Sequence, residues 1–181
     1  MPMTTTHALL PVAVAVAASR GPIPWRLVGV AAFAAAAPDF DGISTYLWHL
    51  PKSSVYAHRG AAHSLFVALA AGLVAALFHK RLGVGPLAAG VVIAGAMASH
   101  GFFDMLTDSG LAVAYLWPLS SVRLFADWRP IHSTPVHLAH LFSEGSARLL
   151  SDLVQLVIPM FLIAFMIRAL RSRLAFHPPQ A

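Results

Sequence analysis

Histidine and aspartate side chains recur in this sequence at spacings that favour the binding of a divalent metal ion. His100 and Asp104 are four residues apart, so on a helix they share one face and can bind one ion, although such a pair also forms as a simple hydrogen bond. Asp39 and Asp41 flank a single phenylalanine. Either aspartate alone could mark the end of a helix, but two neighbouring carboxylates repel each other unless a cation or a proton intervenes. Both pairs are therefore candidate metal ligands.

The segment from His58 to Ser64, with the sequence HRGAAHS, places one arginine between two histidines directly before a long apolar run. His58 and His63 are candidate ligands, with solvation at the membrane interface as the alternative. A guanidinium binds phosphate through two parallel hydrogen bonds, so Arg59 is a candidate contact for an anionic substrate. Reaching toward lipid headgroups is the alternative role for this arginine.

The ligand set also limits the chemistry. Histidine and carboxylate groups are the ligands that proteins use for zinc, manganese and iron. The sequence has 10 His and no cysteine, which excludes disulfides and thiolate ligation. Such a set is more typical of a hydrolytic or oxygen-using centre than of a structural ion.

The composition places these polar groups in a membrane protein. Of the 181 residues, 58% are hydrophobic and 10% are charged, and the mean hydropathy is +0.72, whereas soluble domains carry about 25% charged residues. Disorder, coiled coils, collagen-like fibres and ordinary soluble enzymes are therefore disfavoured. The net charge of +5 is thinly spread, so nucleic acid is not an expected partner. Ionisable groups in hydrocarbon are costly and usually functional.

The apolar runs predict an all-α fold, a single membrane-embedded domain over residues 1–181. It is a polytopic bundle of about five membrane helices, at 8–19, 24–37, 61–79, 84–103 and 149–170. The first two runs are short and fit a helical hairpin; a signal peptide is the alternative for the first, but it lacks a basic n-region. Residues 104–148, rich in Pro, Trp, His and Arg, predict a partly helical cap at the headgroup layer. Whether this cap moves as a lid stays open, as does the role of its histidines: His132, His137 and His140.

The basic residues predict an orientation. With alternating crossings, seven of them fall on one side, which the positive-inside rule makes cytoplasmic: Arg20, Arg26, Lys80, Arg81, Arg168, Arg171 and Arg173. The N-terminus is then outside and the C-terminus is cytoplasmic. All candidate ligands fall at the non-cytoplasmic ends of their helices: His7, Asp39, Asp41, His58, His63, His100 and Asp104.

Four ordered motifs within residues 6–120 resemble the membrane-bound metal-dependent hydrolase family, also described as LexA-binding, inner-membrane-associated hydrolases. They are Thr6-His7, the Pro38-Asp39-Phe40-Asp41 segment, the HRGAAHS segment, and His100 through Asp104 to Pro118. The resemblance implies a bacterial inner-membrane protein distantly similar to zinc-dependent phospholipases C, with the seven candidate ligands around metal and Arg59 on phosphate. Ala62 and Gly101 depart from the pattern, since that family often has threonine and a bulkier apolar residue at these positions.

The residues and the resemblance together predict an integral-membrane metal-dependent hydrolase, a phosphoesterase acting on a lipid or lipid-linked substrate of the membrane. Seven ligands exceed what one tetrahedral zinc uses, so we expect two or more divalent ions, zinc first, with manganese or iron as alternatives. One of Asp39, Asp41 or Asp104 would act as general base. Arg59 would stabilise phosphoryl charge, and Arg123 and Trp117 are further candidate substrate contacts. The oligomeric state stays open.

Three other functions fit parts of the pattern. A membrane di-iron oxygenase related to desaturases is suggested by the spacing of His58 and His63, but such enzymes also need adjacent histidine pairs, which this sequence lacks. A divalent-cation transporter would place acidic groups or histidines at more than one depth. A purely regulatory membrane protein is the third alternative.

Overall fold

The computed structural model describes residues 4–19, 21–108, 110–131 and 149–176, and these ranges form a helical bundle. Its α-helices, in chain order, are α1 (Thr4–Ala18), α2 (Trp25–Ala36), α3 (Asp41–Leu47), α4 (Leu65–Leu77), α5 (His79–Leu82), α6 (Pro86–Met105) and α7 (Ile158–Phe176). Two 3-10 turns, Ala37–Phe40 and Ala61–His63, precede α3 and α4, and a π-helical turn, Leu153–Val157, leads into α7. The prediction of an all-α membrane bundle is confirmed.

Within the described residues, three helical segments are long and apolar enough to cross a membrane: Trp25–Ser44, Pro86–Met105 and Leu149–Arg173. Two shorter apolar helices, α1 and α4, accompany them. Large apolar side chains on the bundle surface, such as Leu73, Leu77 and Leu87, are exposed in the isolated chain. Such a surface suits contact with lipid and not with water.

Several predicted helix boundaries differ from the structure, and at two of them the difference positions a candidate ligand. The helix expected at 24–37 continues through the 3-10 turn at Pro38 into α3, which turns the chain at Asp39 and Asp41. The helix expected from residue 61 begins at Leu65 instead. The Ser64 hydroxyl accepts a hydrogen bond from the Val67 amide at 3.2 Å and caps this helix, which leaves the preceding turn free to carry His63.

Small residues let the central helices approach closely. Ala31, Ala35, Ala68 and Ala89 are completely buried, and they lie on α2, α4 and α6. A Cβ atom added at Gly72 of α4 would lie 2.6 Å from a backbone carbonyl oxygen of α6. Close backbone approach through glycine and alanine is a common way for membrane helices to associate, because lipid offers no hydrophobic driving force between them.

The first and last helices run in the same direction and are joined at both ends. At one end, the Thr6 hydroxyl donates to Asp152 Oδ2 at 2.8 Å. At the other end, Arg171 donates to the Ala17 and Ala18 carbonyls at 3.1 Å. The Arg171 bonds satisfy carbonyls at the C-terminus of α1 that have no partner within their own helix.

The described part of the cap, residues 106–108 and 110–131, is irregular and folds back on the bundle. Isolated bridges pair Thr107 with Ile131 and Val113 with Leu124, and the Leu65 amide donates to the Tyr115 carbonyl at 2.9 Å. The rest of the predicted cap, including His132, His137 and His140, lies outside the described residues.

Candidate metal centre

Four predicted ligands from three parts of the chain meet at one end of the bundle. One ligand atom from each of Asp39, His63, His100 and Asp104 lies within 4.8 Å of all the others. His100 Nε2 lies 3.3 Å from Asp39 Oδ1, and His63 Nε2 lies 3.6 Å from Asp104 Oδ2. Nitrogen and oxygen ligands bind zinc at about 2.0–2.2 Å, so two ligands of one ion are separated by about 4.4 Å at most. These distances are therefore compatible with one shared ion.

His7 brings α1 to the same place. Its Nε2 atom lies 3.7 Å from Asp104 Oδ1, and its ring stacks on the His100 ring with the centroids 3.8 Å apart. The side chain is buried. His7 thus lies beside the four-residue group, and five of the seven predicted ligands meet at this end of the bundle.

A second group, Asp41, His58 and His63, adjoins the first. Asp41 Oδ1 lies 2.7 Å from His58 Nδ1, and Asp41 Oδ2 lies 3.1 Å from His63 Nδ1. His63 belongs to both groups through its two ring nitrogens. A neutral imidazole has only one lone pair for a metal, so an ion on Nε2 leaves a proton on Nδ1 that points toward Asp41. A metal ion bound to the first group therefore favours an orienting role for Asp41. The predicted second ion would need Asp41 and His58 as its ligands.

Other contacts fix the ligand orientations. His100 Nδ1 lies 2.7 Å from the Ala35 carbonyl oxygen and donates to it, which leaves the lone pair of Nε2 facing the group. The Thr4 hydroxyl donates to Asp39 Oδ2 at 2.5 Å. Burial lowers the pKa of the His63 imidazole and so favours the neutral form that binds metals.

Several buried polar atoms of this centre lack a hydrogen bond from any residue that the structure describes: His7 Nε2, Asp39 Oδ1, His63 Nε2 and His100 Nε2. An unsatisfied buried polar group costs about 1–3 kcal/mol. Three imidazole nitrogens and a carboxylate oxygen that meet at one place without hydrogen bonds fit a bound cation, since an ion can satisfy such atoms together.

Arg59 is completely buried and turned toward protein groups. Its Nε atom lies 3.0 Å from Asp104 Oδ2, one terminal nitrogen donates to Thr107 Oγ1 at 3.1 Å, and the other donates to the Leu111 carbonyl. The backbone at Arg59 has a φ of 62°, and Gly110 packs against the guanidinium, where a Cβ atom would lie 3.1 Å from it. This geometry balances the charge of Asp104, and the phosphate contact stays a prediction.

Arg123 and Trp117, the other predicted substrate contacts, lie in the cap loop. The Arg123 guanidinium donates to four backbone carbonyls at 2.8–3.2 Å, those of Ser54, His58, Arg59 and Ala112. It thereby fastens the loop that carries His58 to the cap. Trp117 is partly buried, and its backbone amide donates to the Ala114 carbonyl at 3.1 Å. The two ligand groups described above do not include either side chain, so their substrate roles stay predictions.

Thr4 and Asp152 are not among the residues that the sequence patterns single out, and Thr107 is included only as part of the motif from His100 to Pro118. Thr4 and Thr107 support the ligands and Arg59 through hydroxyl groups. Asp152 is buried and bonded to Thr6. A signal for Asp152 was present, because it is the one acidic residue within the last apolar run.

The fold and this centre define an all-α integral membrane protein with a candidate metal site at one end of its helices. The chain belongs to the YdjM inner membrane protein family, whose family model matches residues 1–174. It is similar to inner membrane protein YbcI of Escherichia coli (strain K12), with 29% identity over 169 residues that cover 92% of this chain and 97% of the relative. No solved structure matches the chain significantly.

These matches support a membrane protein of the inner membrane, with multiple crossings provided by the candidate spans. They name no reaction, and they do not support the predicted relation to metal-dependent hydrolases or phospholipases C. The orientation in the membrane also stays a prediction.

Proposed function

We propose that this protein is a membrane-embedded metal-dependent hydrolase that cleaves a phosphoester of a lipid or lipid-linked substrate. The observation that carries the proposal is the convergence of Asp39, His63, His100 and Asp104, with buried and unsatisfied ligand atoms, at one end of an apolar bundle. Burial of four ionisable groups in a membrane protein is costly and is usually retained for function.

Two nitrogens and two carboxylate oxygens form a set suited to one tetrahedral zinc ion, with manganese or iron as alternatives. A divalent ion that binds only three of these groups, or that accepts water as a fifth ligand, would lower the pKa of that water to about 7 and stabilise negative charge on phosphoryl oxygens. Mononuclear binding by the first group is the simplest occupancy, and a second ion at Asp41 and His58 is the alternative.

The surrounding residues have two further roles: they hold a ligand in place, and they accept a proton. Arg59 neutralises part of the charge of Asp104 and holds that carboxylate in place. Asp39 and Asp104 serve as ligands, which leaves Asp41 among the predicted general bases. Asp41 Oδ1 lies 2.7 Å from His58 Nδ1, and the His58 ring is partly exposed. A histidine oriented by a carboxylate is an arrangement that accepts a proton from water, so His58 and Asp41 act together as the base.

The bundle geometry supports a lipid substrate on the non-cytoplasmic side. The ligand groups lie at the end where Thr6 meets Asp152, whereas Arg168 and Arg171 bond the opposite end of α1. If those arginines face the cytoplasm, as the positive-inside rule predicts, then the centre faces away from it. A metal centre at the end of the membrane helices would lie at the level of the lipid headgroups.

The first test is the metal content of detergent-purified protein, measured by elemental analysis. We expect about one zinc per chain in the wild type, the stoichiometry of one ion in the four-residue group. We also expect loss of most of it in His63→Ala and Asp104→Ala. His49→Asn is the matched control, because His49 is exposed and asparagine tolerates its positive φ. Unchanged metal in both ligand variants would overturn the proposed centre.

The second test is hydrolysis by protein that has been shown to carry metal. A panel of phospholipids, lipid phosphates and a water-soluble phosphodiester is incubated with wild type and with His63→Ala. We expect hydrolysis of at least one lipid, which yields a phosphomonoester from a phospholipid or inorganic phosphate from a lipid phosphate, and its loss in the variant and on chelation. Metal-loaded protein that is inert toward the whole panel would overturn the hydrolase.

A further inference from the structure

A cavity of about 410 Å³ lies between α1 and the last helical segment, and one end of it reaches the metal centre. Thr6 and His7 line that end. From there the cavity extends along α1 as far as Ala17. Eleven residues of helix correspond to about 16 Å at 1.5 Å per residue. We call this cavity the α1–α7 groove.

The walls of the α1–α7 groove are almost entirely apolar. Beyond the polar end, they include Leu10, Val14, Phe103, Met160, Ile163 and Ile167. These residues belong to helices of membrane-spanning or apolar character. A water-filled site would have little to hydrogen-bond with along these walls, so the lining favours a hydrocarbon occupant.

Hydrogen bonds join the two helices at both ends of the groove: the Thr6–Asp152 bond at one end and the Arg171 bonds at the other. Between these bonds lies the π-helical turn Leu153–Val157, just before Pro159, which has no amide proton for the helical ladder. Single π-helical turns are frequent at functional sites.

We propose that the α1–α7 groove binds one acyl chain of a membrane phospholipid whose phosphate lies at the metal centre. This inference rests on the proposed function, because it assigns the chain-binding part of the same site. The link is His7, which lines the groove and whose Nε2 atom lies 3.7 Å from Asp104 Oδ1. A lipid bound in this way has its charged group at the polar end and its chain along apolar walls at the depth of the bilayer core.

Two substitutions fill the groove without entering the packed core. Val14 and Ile163 line it and are 56% and 52% exposed, so tryptophan at either position occupies the groove volume. Leu73→Trp is the matched control, because Leu73 is 71% exposed on α4 and does not line the groove.

The binding test does not depend on catalysis. Wild type and variants are reconstituted in vesicles of phosphatidylethanolamine and phosphatidylglycerol that contain a phosphatidylglycerol with a photoreactive group in one acyl chain. After irradiation, labelled peptides are mapped by mass spectrometry. We expect labelling of α1 and α7 in wild type and Leu73→Trp, with loss of that labelling in Val14→Trp and Ile163→Trp. Labelling spread evenly over the lipid-facing surface would overturn the inference, and so would labelling that is unchanged in the groove variants. Cross-links that place residues 132–148 in the groove would also overturn it.

The activity test separates this inference from the proposed function. If the protein hydrolyses a long-chain phospholipid, we expect Val14→Trp to raise its KM about tenfold, the effect of about two methylenes losing their burial. Hydrolysis of a water-soluble phosphodiester should stay unchanged. An equal effect on both substrates would overturn chain binding in the groove. Failure of the wild type to hydrolyse either substrate would overturn the hydrolase alone, and the labelling result would then decide the groove.

Discussion

His63 turns its two ring nitrogens toward two different carboxylates: Nδ1 lies 3.1 Å from Asp41 Oδ2, and Nε2 lies 3.6 Å from Asp104 Oδ2. One carboxylate can therefore share an ion with His63 while the other orients its ring. This arrangement distinguishes two aspartates that the sequence alone treats as equivalent candidates.

Asp41→Asn tests that distinction. We expect the variant to retain zinc with an affinity lowered about 10- to 100-fold, the usual cost of losing a partner that orients a ligand. Asp104→Asn should lose the ion. Competition with a zinc-sensitive dye measures both affinities, and Asp127→Asn, at an exposed position, is the control. If Asp41→Asn and Asp104→Asn lose zinc equally, then Asp41 is a ligand.

Arg59→Met tests the buried ion pair with Asp104. Removing one partner leaves an uncompensated buried charge, so we expect a loss of about 3–5 kcal/mol in the free energy of unfolding. The double variant with Asp104→Asn should lose less than the sum of the two single variants, because the two side chains are in contact. Unfolding in detergent is followed by circular dichroism, with the exposed Arg26→Met as control. Additive losses would contradict a direct pairing.

Gly72→Ala tests the close approach of α4 and α6. The added methyl group would lie 2.6 Å from the Gly90 carbonyl oxygen and 2.7 Å from the Ala94 Cβ atom. We expect a loss of about 1–3 kcal/mol in the free energy of unfolding, since overpacked cores must shift to relieve the contact. Gly95→Ala on α6 meets nothing within 4 Å, and it should be neutral or stabilising, because alanine favours helix. Equal stability of both variants would show that the helices are farther apart.

Single-cysteine variants test the orientation, because the natural chain has no cysteine. Lys52 and Lys80 are both exposed, on the loops before α4 and at α5. We expect a membrane-impermeant maleimide to label Lys52→Cys, but not Lys80→Cys, in cells whose outer membrane alone has been permeabilised. Both should react after the inner membrane is opened. The reverse pattern would place the metal centre on the cytoplasmic side.

The sequence was sufficient to predict the apolar helices and the common layer of the candidate ligands. Hydrophobic runs reveal buried and lipid-facing helices directly, and alternating crossings bring every second helix end to the same side. The starting point of α4 was missed because a single serine cap, Ser64, outweighs the apolar character of the residues before it.

The orientation of Arg59 could not be predicted in the same way. Whether a guanidinium points to a substrate or to a protein carboxylate depends on the backbone at Arg59, which has a φ of 62°, and on the distant Gly110 that packs against it. Both are tertiary features. The contacts of Arg123 with four carbonyls likewise depend on how the cap loop folds over the bundle.

The bonds between the first and last helices also determine at what stage of synthesis α1 can be fixed in its final position. Thr6 can bond to Asp152, and the end of α1 to Arg171, only after the chain has been made and inserted through residue 171. His7, next to Thr6 and about three turns from the Ala17 and Ala18 carbonyls, is therefore fixed in place only after that step. A chain that stops before residue 149 would still pack α1 against α2 and α4 against α6, but it would lack the bonds that fasten α1, the helix that carries His7, to the last helix.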